Sequence, residues 1–263
     1  MALLLATRHN RVEIVELLLS TPDIVVNIQS DYGSTALISA SSRENIEIVE
    51  LLISRSDLNV NLQDKDGWTA LMIASSWGCI KIVKLLLSRP DLNVNLQDKD
   101  GWTALMIASH RRYVEVVELL LSRPETNVDL QDENGWTALM EASQRGCAEI
   151  VELLLSRPES NVNFQDENGW TALIIASYLG YTKIVDLLLS RSANQRIDLN
   201  LQQKNGWTAL IIASGNGFTE IVELLLSKPN IDLNIRDEYR QTALMLAHTW
   251  RHEEIVSLLE NYK

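Results

Sequence analysis

Asp64-Lys65-Asp66-Gly67-Trp68-Thr69-Ala70-Leu71-Met72-Ile73-Ala74-Ser75 recurs residue for residue from Asp98 to Ser109. A reacting site is needed once, so a stretch copied verbatim is architecture first. Aligned on Gly-Trp-Thr, it returns at Gly135, Gly169 and Gly206, with weaker copies at Gly33 and Arg240. The step is 34 residues, lengthened to 37 before Gly206. The pattern predicts one array over 1–263, in units 1–29, 30–63, 64–97, 98–131, 132–165, 166–202, 203–236 and 237–263. No residues are left over for a separate catalytic domain.

Within a unit, Asp64 to Gly67 is turn chemistry: Asp bonds its own following backbone and Gly tolerates the tight corner. Thr69 stands where a helix N-cap belongs, its hydroxyl accepting from an otherwise unpaired N–H. A short first helix is predicted over Ala70–Trp77, with Leu71 and Ala74 inward, and Gly78 breaks it. A second is predicted over Ile80–Ser88, where only Lys81, Lys84 and Ser88 form a polar stripe, so it needs cover on most of its circumference. Pro90 stops it, and Leu92, Val94 and Leu96 alternate with Asn and Gln in an extended return to the next turn. Neither helix is long enough to stand alone, so neighbouring units must supply the stability.

This helix–turn–helix with a hairpin, opened in each unit by Gly-x-Thr-x-Leu, resembles the ankyrin repeat over essentially the whole chain. The resemblance implies an all-α solenoid of stacked helix–turn–helix units with hairpin loops. The departures are consistent. The family's Thr-Pro-Leu-His reads Thr-Ala-Leu-Met or Thr-Ala-Leu-Ile, and its Gly-His becomes Gly78-Cys79, Gly146-Cys147, Gly180-Tyr181 and Gly217-Phe218. The period is one residue longer than the family's usual 33, in the Arg-Pro-Asp-Leu-Asn loop. The C-terminal unit turns Glu253, Glu254, Ser257 and Glu260 outward as a cap, whereas Leu3, Leu4 and Leu5 make a less polar start.

The chain is acidic, with a formal net charge of −12 and a content of 46% hydrophobic residues. That balance argues against nonspecific binding to nucleic acid or anionic membrane, which needs a net basic face. No run suits a signal peptide or a bilayer span, so a cytoplasmic protein is expected, or one in a host-cell cytoplasm if it is an effector. Cys79 and Cys147 lie two units apart, beyond disulfide reach, and read as buried free thiols of a reducing compartment.

Nothing in the sequence assembles a reaction centre. His248 and His252 are spaced by four, but a further ligand is missing nearby, so the pair reads as structural or surface rather than metal-binding. No phosphate loop, zinc-helix motif or nucleophile elbow occurs. The expectation is a noncatalytic protein with no metal and no cofactor.

The resemblance implies instead a partner protein held on the concave side, formed by hairpin tips and first-helix ends. Three strips carry over by position. The tips are Lys65 and Asp66, Lys99 and Asp100, Glu133 and Asn134, Glu167 and Asn168, and Lys204 and Asn205. The residue after the turn Gly is Trp68, Trp102, Trp136, Trp170 and Trp207. The helix ends differ in every unit, with Arg43, Trp77, His110, Arg111, Arg145 and Tyr178 as the candidate binding residues. Residues that stack unit on unit meet the same environment each time and can repeat; residues touching a nonrepetitive partner cannot. Arg, Trp and Tyr are also the types that carry interface energy. Most of the negative charge lies on second-helix positions such as Glu115, Glu118, Glu149 and Glu152, leaving the helix-end strip with Arg8, Arg43, Arg111 and Arg145. An extended acidic or aromatic segment of a partner is the expected ligand of a monomer.

For the Trp row, packing against the neighbouring turn accounts for identity and spacing; a ladder of binding anchors is the alternative. Glu141, standing where other units have Ile, is expected to salt-bridge across the groove toward Arg111 or Arg145. Arg112 occupies a glycine position, and an insertion falls around Ala193, Asn194 and Gln195. The competing reading of the whole chain is a rigid structural arm, or an ankyrin domain excised from a larger enzyme or host-directed effector.

Overall fold

A computed structural model describes residues 1–190 and 197–262 and shows only helices and turns among them. The insertion at Ala193, Asn194 and Gln195 lies outside the described residues. Two compact units are present, Met1–Glu133 and Asn134–Lys263. The first holds α1 (Ala2–Arg8), α2 (Val12–Leu19), α3 (Ala36–Ser42), α4 (Ile46–Ile53), α5 (Ala70–Trp77), α6 (Ile80–Leu87), α7 (Ala104–Arg111) and α8 (Val114–Leu121). The second holds α9 (Ala138–Gln144), α10 (Ala148–Leu155), α11 (Ala172–Leu179), α12 (Thr182–Leu189), α13 (Ala209–Asn216), α14 (Thr219–Leu226), α15 (Ala243–Thr249) and α16 (Glu253–Glu260).

In the first unit α1, α3, α5 and α7 pack in one row and α2, α4, α6 and α8 in another, each helix also touching its own partner. The second unit repeats this with α9, α11, α13 and α15 against α10, α12, α14 and α16. The boundaries follow from local chemistry. Thr69 Oγ1 accepts from Met72 N at 3.2 Å and Thr103 Oγ1 from Met106 N at 3.1 Å, so the expected N-cap forms. Gly78 ends α5 in the left-handed region at φ +68°, and Arg112 takes the same conformation after α7 at φ +63°. Leu71, Ala74, Ile82, Val83 and Leu86 are buried, and full burial of one such leucine is worth about 1.5–3 kcal/mol. Leu85 and Leu87 are only half-buried, so the cover of α6 is narrower than its apolar sequence suggests. At the first repeat the corresponding face is open, with Leu17 70% exposed.

The loop after the second helix is not a plain extended return. Asn93 Oδ1 accepts from Asn95 N at 3.0 Å, folding Val94 and Asn95 into a turn while Leu92 and Val94 stay buried. Asn95 then joins repeats: its Nδ2 donates to Glu125 O at 2.7 Å and its Oδ1 accepts from Asn127 N at 2.8 Å. Gln97 Nε2 donates to Gly101 O in its own turn and to Gln131 O one repeat on, at 2.7 and 2.9 Å. Arg89 clamps backward. Its Nη1 reaches Ile53 O and Arg55 O at 3.0 and 2.9 Å while Asp91 holds the other edge at 2.9 Å. The Arg-Pro-Asp-Leu-Asn loop thus carries a guanidinium clasp that closes the C-terminal carbonyls of the preceding repeat's second helix.

The copied glycine has its reason in the same joint. Gly101 sits at φ +81°, and a Cβ there would lie 2.7 Å from Asp132 Cα and 2.8 Å from Glu133 N. Backbone of the next repeat occupies that space, and Glu133 N donates to Asp100 O across it at 3.0 Å. Arg240 holds the corresponding place at φ +63°, where no further repeat is stacked among the described residues.

Candidate functional site

Hairpin tips are pinned by their leading residue, an Asp at Asp64, Asp98, Asp166 and Asp237 but Ser30 and Gln203 in two others. Asp98 Oδ1 accepts from Trp102 N at 2.7 Å and Asp100 N at 3.1 Å, while Asp98 N donates to Trp102 O at 3.0 Å. Burial pushes the Asp98 carboxyl up from its ordinary value, against the pull of those two N–H donors. The tip carbonyl bonds the next repeat, so its side chain projects outward. Lys65, Asp66, Lys99, Asp100 and Glu133 are exposed in the first unit, and Asn134, Glu167, Asn168, Lys204 and Asn205 in the second.

Trp68, Trp102, Trp136, Trp170 and Trp207 are all half-buried. Two of them meet the helix-end residue eight positions on: Trp102 stacks edge-on with His110 at 5.3 Å and 76°, and Trp170 with Tyr178 at 5.5 Å and 73°. Trp207 Nε1 donates to Asp237 Oδ2 at 3.3 Å, a contact with the next repeat. The indoles therefore pack against their surroundings and still present part of their surface to solvent.

Among the helix ends of the first unit, Arg8, Arg43, Trp77 and Arg111 are exposed, Trp77 to 60%. His110 is half-buried against its indole. In the second unit Arg145 and Tyr178 are exposed. The folded chain gathers several of these around shallow depressions. Trp68, Trp102, His110 and Arg111 line one of 300 Å3 in the first unit, and Arg8 and Arg43 another of 410 Å3. In the second unit Tyr178 and Trp207 line a depression of 470 Å3 together with Tyr239, Leu246 and Trp250.

Two aromatic residues of this face escaped the sequence reading. Tyr32 and Tyr239 are 81% and 72% exposed at hairpin tips, in the register of Asp66 and Asp100. The signal was their place immediately before Gly33 and Arg240 in the weaker copies. Gly215, at the first-helix end of its repeat, lines the depression beside Trp207. Glu141 is 5% exposed, a buried carboxylate on α9.

The opposite, second-helix face carries exposed Glu115, Glu118, Glu149 and Glu152, and Lys84 Nζ meets Glu115 Oε1 at 3.1 Å. Cys147 is buried as expected, but Cys79 is only half-buried. Burial first, and then Glu44, pushes its thiol up to about 11. His248 Nε2 lies 3.6 Å from Glu260 Oε1, and His252 Nε2 lies 3.2 Å from Gly215 O, so the two histidines serve separate contacts. Among the described residues no three His, Cys, Asp or Glu side chains group as metal ligands, and no helix is long and apolar enough to cross a membrane.

The family model described as "Ankyrin repeats (3 copies)" matches residues 3–98, 41–130, 90–166, 124–198 and 194–263. No curated protein sequence matches the chain. Among solved structures, the ankyrin repeat protein EF0377 is similar with a TM-score of 0.68 and 28% identity, over 73% of this chain and 98% of that one. The ankyrin repeat domain of Bcl-3, described as a unique member of the IkappaB protein family, is similar with a TM-score of 0.73 and 26% identity, over 86% of this chain and 100% of that one.

Proposed function

Since the chain belongs to the ankyrin repeat family, whose repeats generally serve as protein-interaction modules, we propose that it is a noncatalytic scaffold binding a partner protein on its concave face. Hairpin tips and first-helix ends form that face, and the eight repeats act as one monomeric array in the cytoplasm. The observation that carries the reading is the contrast between two sets of residues. Positions that join repeats, such as Gln63 and Gln97 or Arg55 and Arg89, keep their identity and spend their polar groups on the neighbouring repeat. The helix-end pair differs from repeat to repeat, although Arg recurs in it at Arg43, Arg111 and Arg145, and it keeps these three with Trp77 and Tyr178 exposed.

Exposed Arg and aromatic groups favour a partner segment with carboxylates and rings, while the acidic second-helix face favours solubility. The two unpaired thiols are compatible with a reducing compartment. The test is affinity capture from the source cell with the wild-type chain and with Arg43, Arg111, Arg145 and Tyr178 changed together to Ala. Loss of the captured protein at unchanged helical content supports the assignment; undiminished capture refutes it.

A further inference from the structure

We propose that the depression beside Trp207 receives one aromatic side chain from an extended, acid-flanked segment of the partner protein, an inference that rests on the interaction reading of this face. The molecule supplies its own template. Trp102 and Trp170 each carry a ring edge-on, donated by His110 and Tyr178 from eight positions along the chain. The residue eight positions after Trp207 is Gly215, which has no side chain to give. Gly215 and Trp207 both line the 470 Å3 depression, together with Tyr178, Tyr239, Leu246 and Trp250. That volume exceeds the roughly 150 Å3 that suffices for a benzene ring, leaving room for the chain that carries it.

The fold does not require glycine here. Gly215 lies inside α13, and a Cβ on it would meet only Leu246 side-chain atoms, at 3.6 and 3.8 Å, an ordinary contact. Gly101 is different, because backbone fills the space its Cβ would take. The depression is thus open by sequence choice rather than by a constraint of the turn.

Its polar lining fixes the sign of what flanks the ring. Asp237 is buried and committed: Oδ2 accepts from Trp207 Nε1 at 3.3 Å, and Oδ1 from Tyr239 N and Gln241 N at 2.9 and 2.8 Å. This orients the indole against the hairpin of the next repeat. The exposed charges adjoining the lining residues in sequence are Arg236, Arg240, Arg251 and Glu238, and Lys204 stands on the tip before Trp207. Cations outnumber anions there, so carboxylates beside the entering ring are complementary.

The probe is p-cresol, with 4-methylcyclohexanol as its non-aromatic counterpart, titrated into the full 15N-labelled chain while the Trp207 indole N–H resonance is followed. p-Cresol is expected to move that resonance saturably and 4-methylcyclohexanol to bind at least 5-fold more weakly. Gly215→Tyr places an internal ring over the indole and is expected to weaken p-cresol at least 10-fold, whereas the single methyl of Gly215→Ala should weaken it less than about 3-fold, which separates occupation by a ring from loss of the glycine. Gly215→Tyr is also expected to weaken the captured partner at least 10-fold. Failure of p-cresol to shift the resonance, equal binding of the saturated alcohol, or partner affinity untouched by Gly215→Tyr overturns the inference. If the fourfold Arg43, Arg111, Arg145 and Tyr178 variant loses the partner while Gly215→Tyr keeps it, the interaction reading stands and this one falls.

Discussion

Gly101→Ala tests the joint that the copied sequence protects. The substitution places a methyl 2.7 Å from Asp132 Cα and 2.8 Å from Glu133 N, both backbone atoms that move only with their repeat. Holding Ala in the left-handed region costs about 1–2 kcal/mol, and pushing the next turn away costs a further ~1 kcal/mol if the bond from Glu133 N to Asp100 O is lost. We therefore expect a loss of about 2–3 kcal/mol, read as a lower urea midpoint at unchanged slope by far-ultraviolet circular dichroism. Arg240→Gly is the control. It relieves similar strain at a place with no repeat stacked on it among the described residues and gives flexibility to the unfolded chain, so its net effect in this chain should stay within about 0.5 kcal/mol. If Gly101→Ala costs no more than ~1 kcal/mol, the close approach of the next repeat is not what retains glycine.

Three further outcomes follow from the same geometry. Arg89→Lys keeps the charge but cannot serve Ile53 O, Arg55 O and Asp91 together, and should lower stability by about 1–2 kcal/mol in the same urea assay. Ser109 Oγ is buried with no hydrogen-bond partner, so Ser109→Ala should be neutral or stabilise by up to about 1 kcal/mol; a clear loss in thermal unfolding would mean the hydroxyl is satisfied. With its thiol raised to about 11, Cys79 should react with iodoacetamide at pH 8 far more slowly than an unperturbed thiol, by about 100-fold if thiolate fraction alone sets the rate. Because burial and Glu44 both disfavour the thiolate, Glu44→Gln should speed alkylation in part, and an ordinary rate in the wild type would refute the raised value.

The repeat, the Thr caps and the helix limits were legible because their causes are local. Ala70–Trp77 follows from Thr69 before it and Gly78 after it, and both lie within one helical turn of what they control. The ties between repeats were not legible for the opposite reason. Gln97 meets the carbonyl of Gln131, and Arg89 reaches back to Ile53, at separations where sequence shows only polar loop residues. The proposed binding face was half legible. Residue type and variation along the helix ends drew attention to Arg111 and Tyr178, but the opening at Gly215 depends on what Trp102 and Trp170 carry in other repeats, which only side-chain positions reveal. Packing and presentation of the Trp row also proved not to be exclusive, since each indole is half-buried.

The central claim is that repeated residues hold the array and the varying helix ends choose its partner. Its most direct test is titration calorimetry of the captured partner against two variants of equal stability. One carries Ala at Arg43, Arg111, Arg145 and Tyr178; the other carries Gln at Glu115, Glu118, Glu149 and Glu152. With four helix-end anchors worth about 1–2 kcal/mol each, the first should lose roughly 1000-fold or more in affinity and the second less than about 3-fold. Affinity that falls with the second set and survives the first would contradict the account.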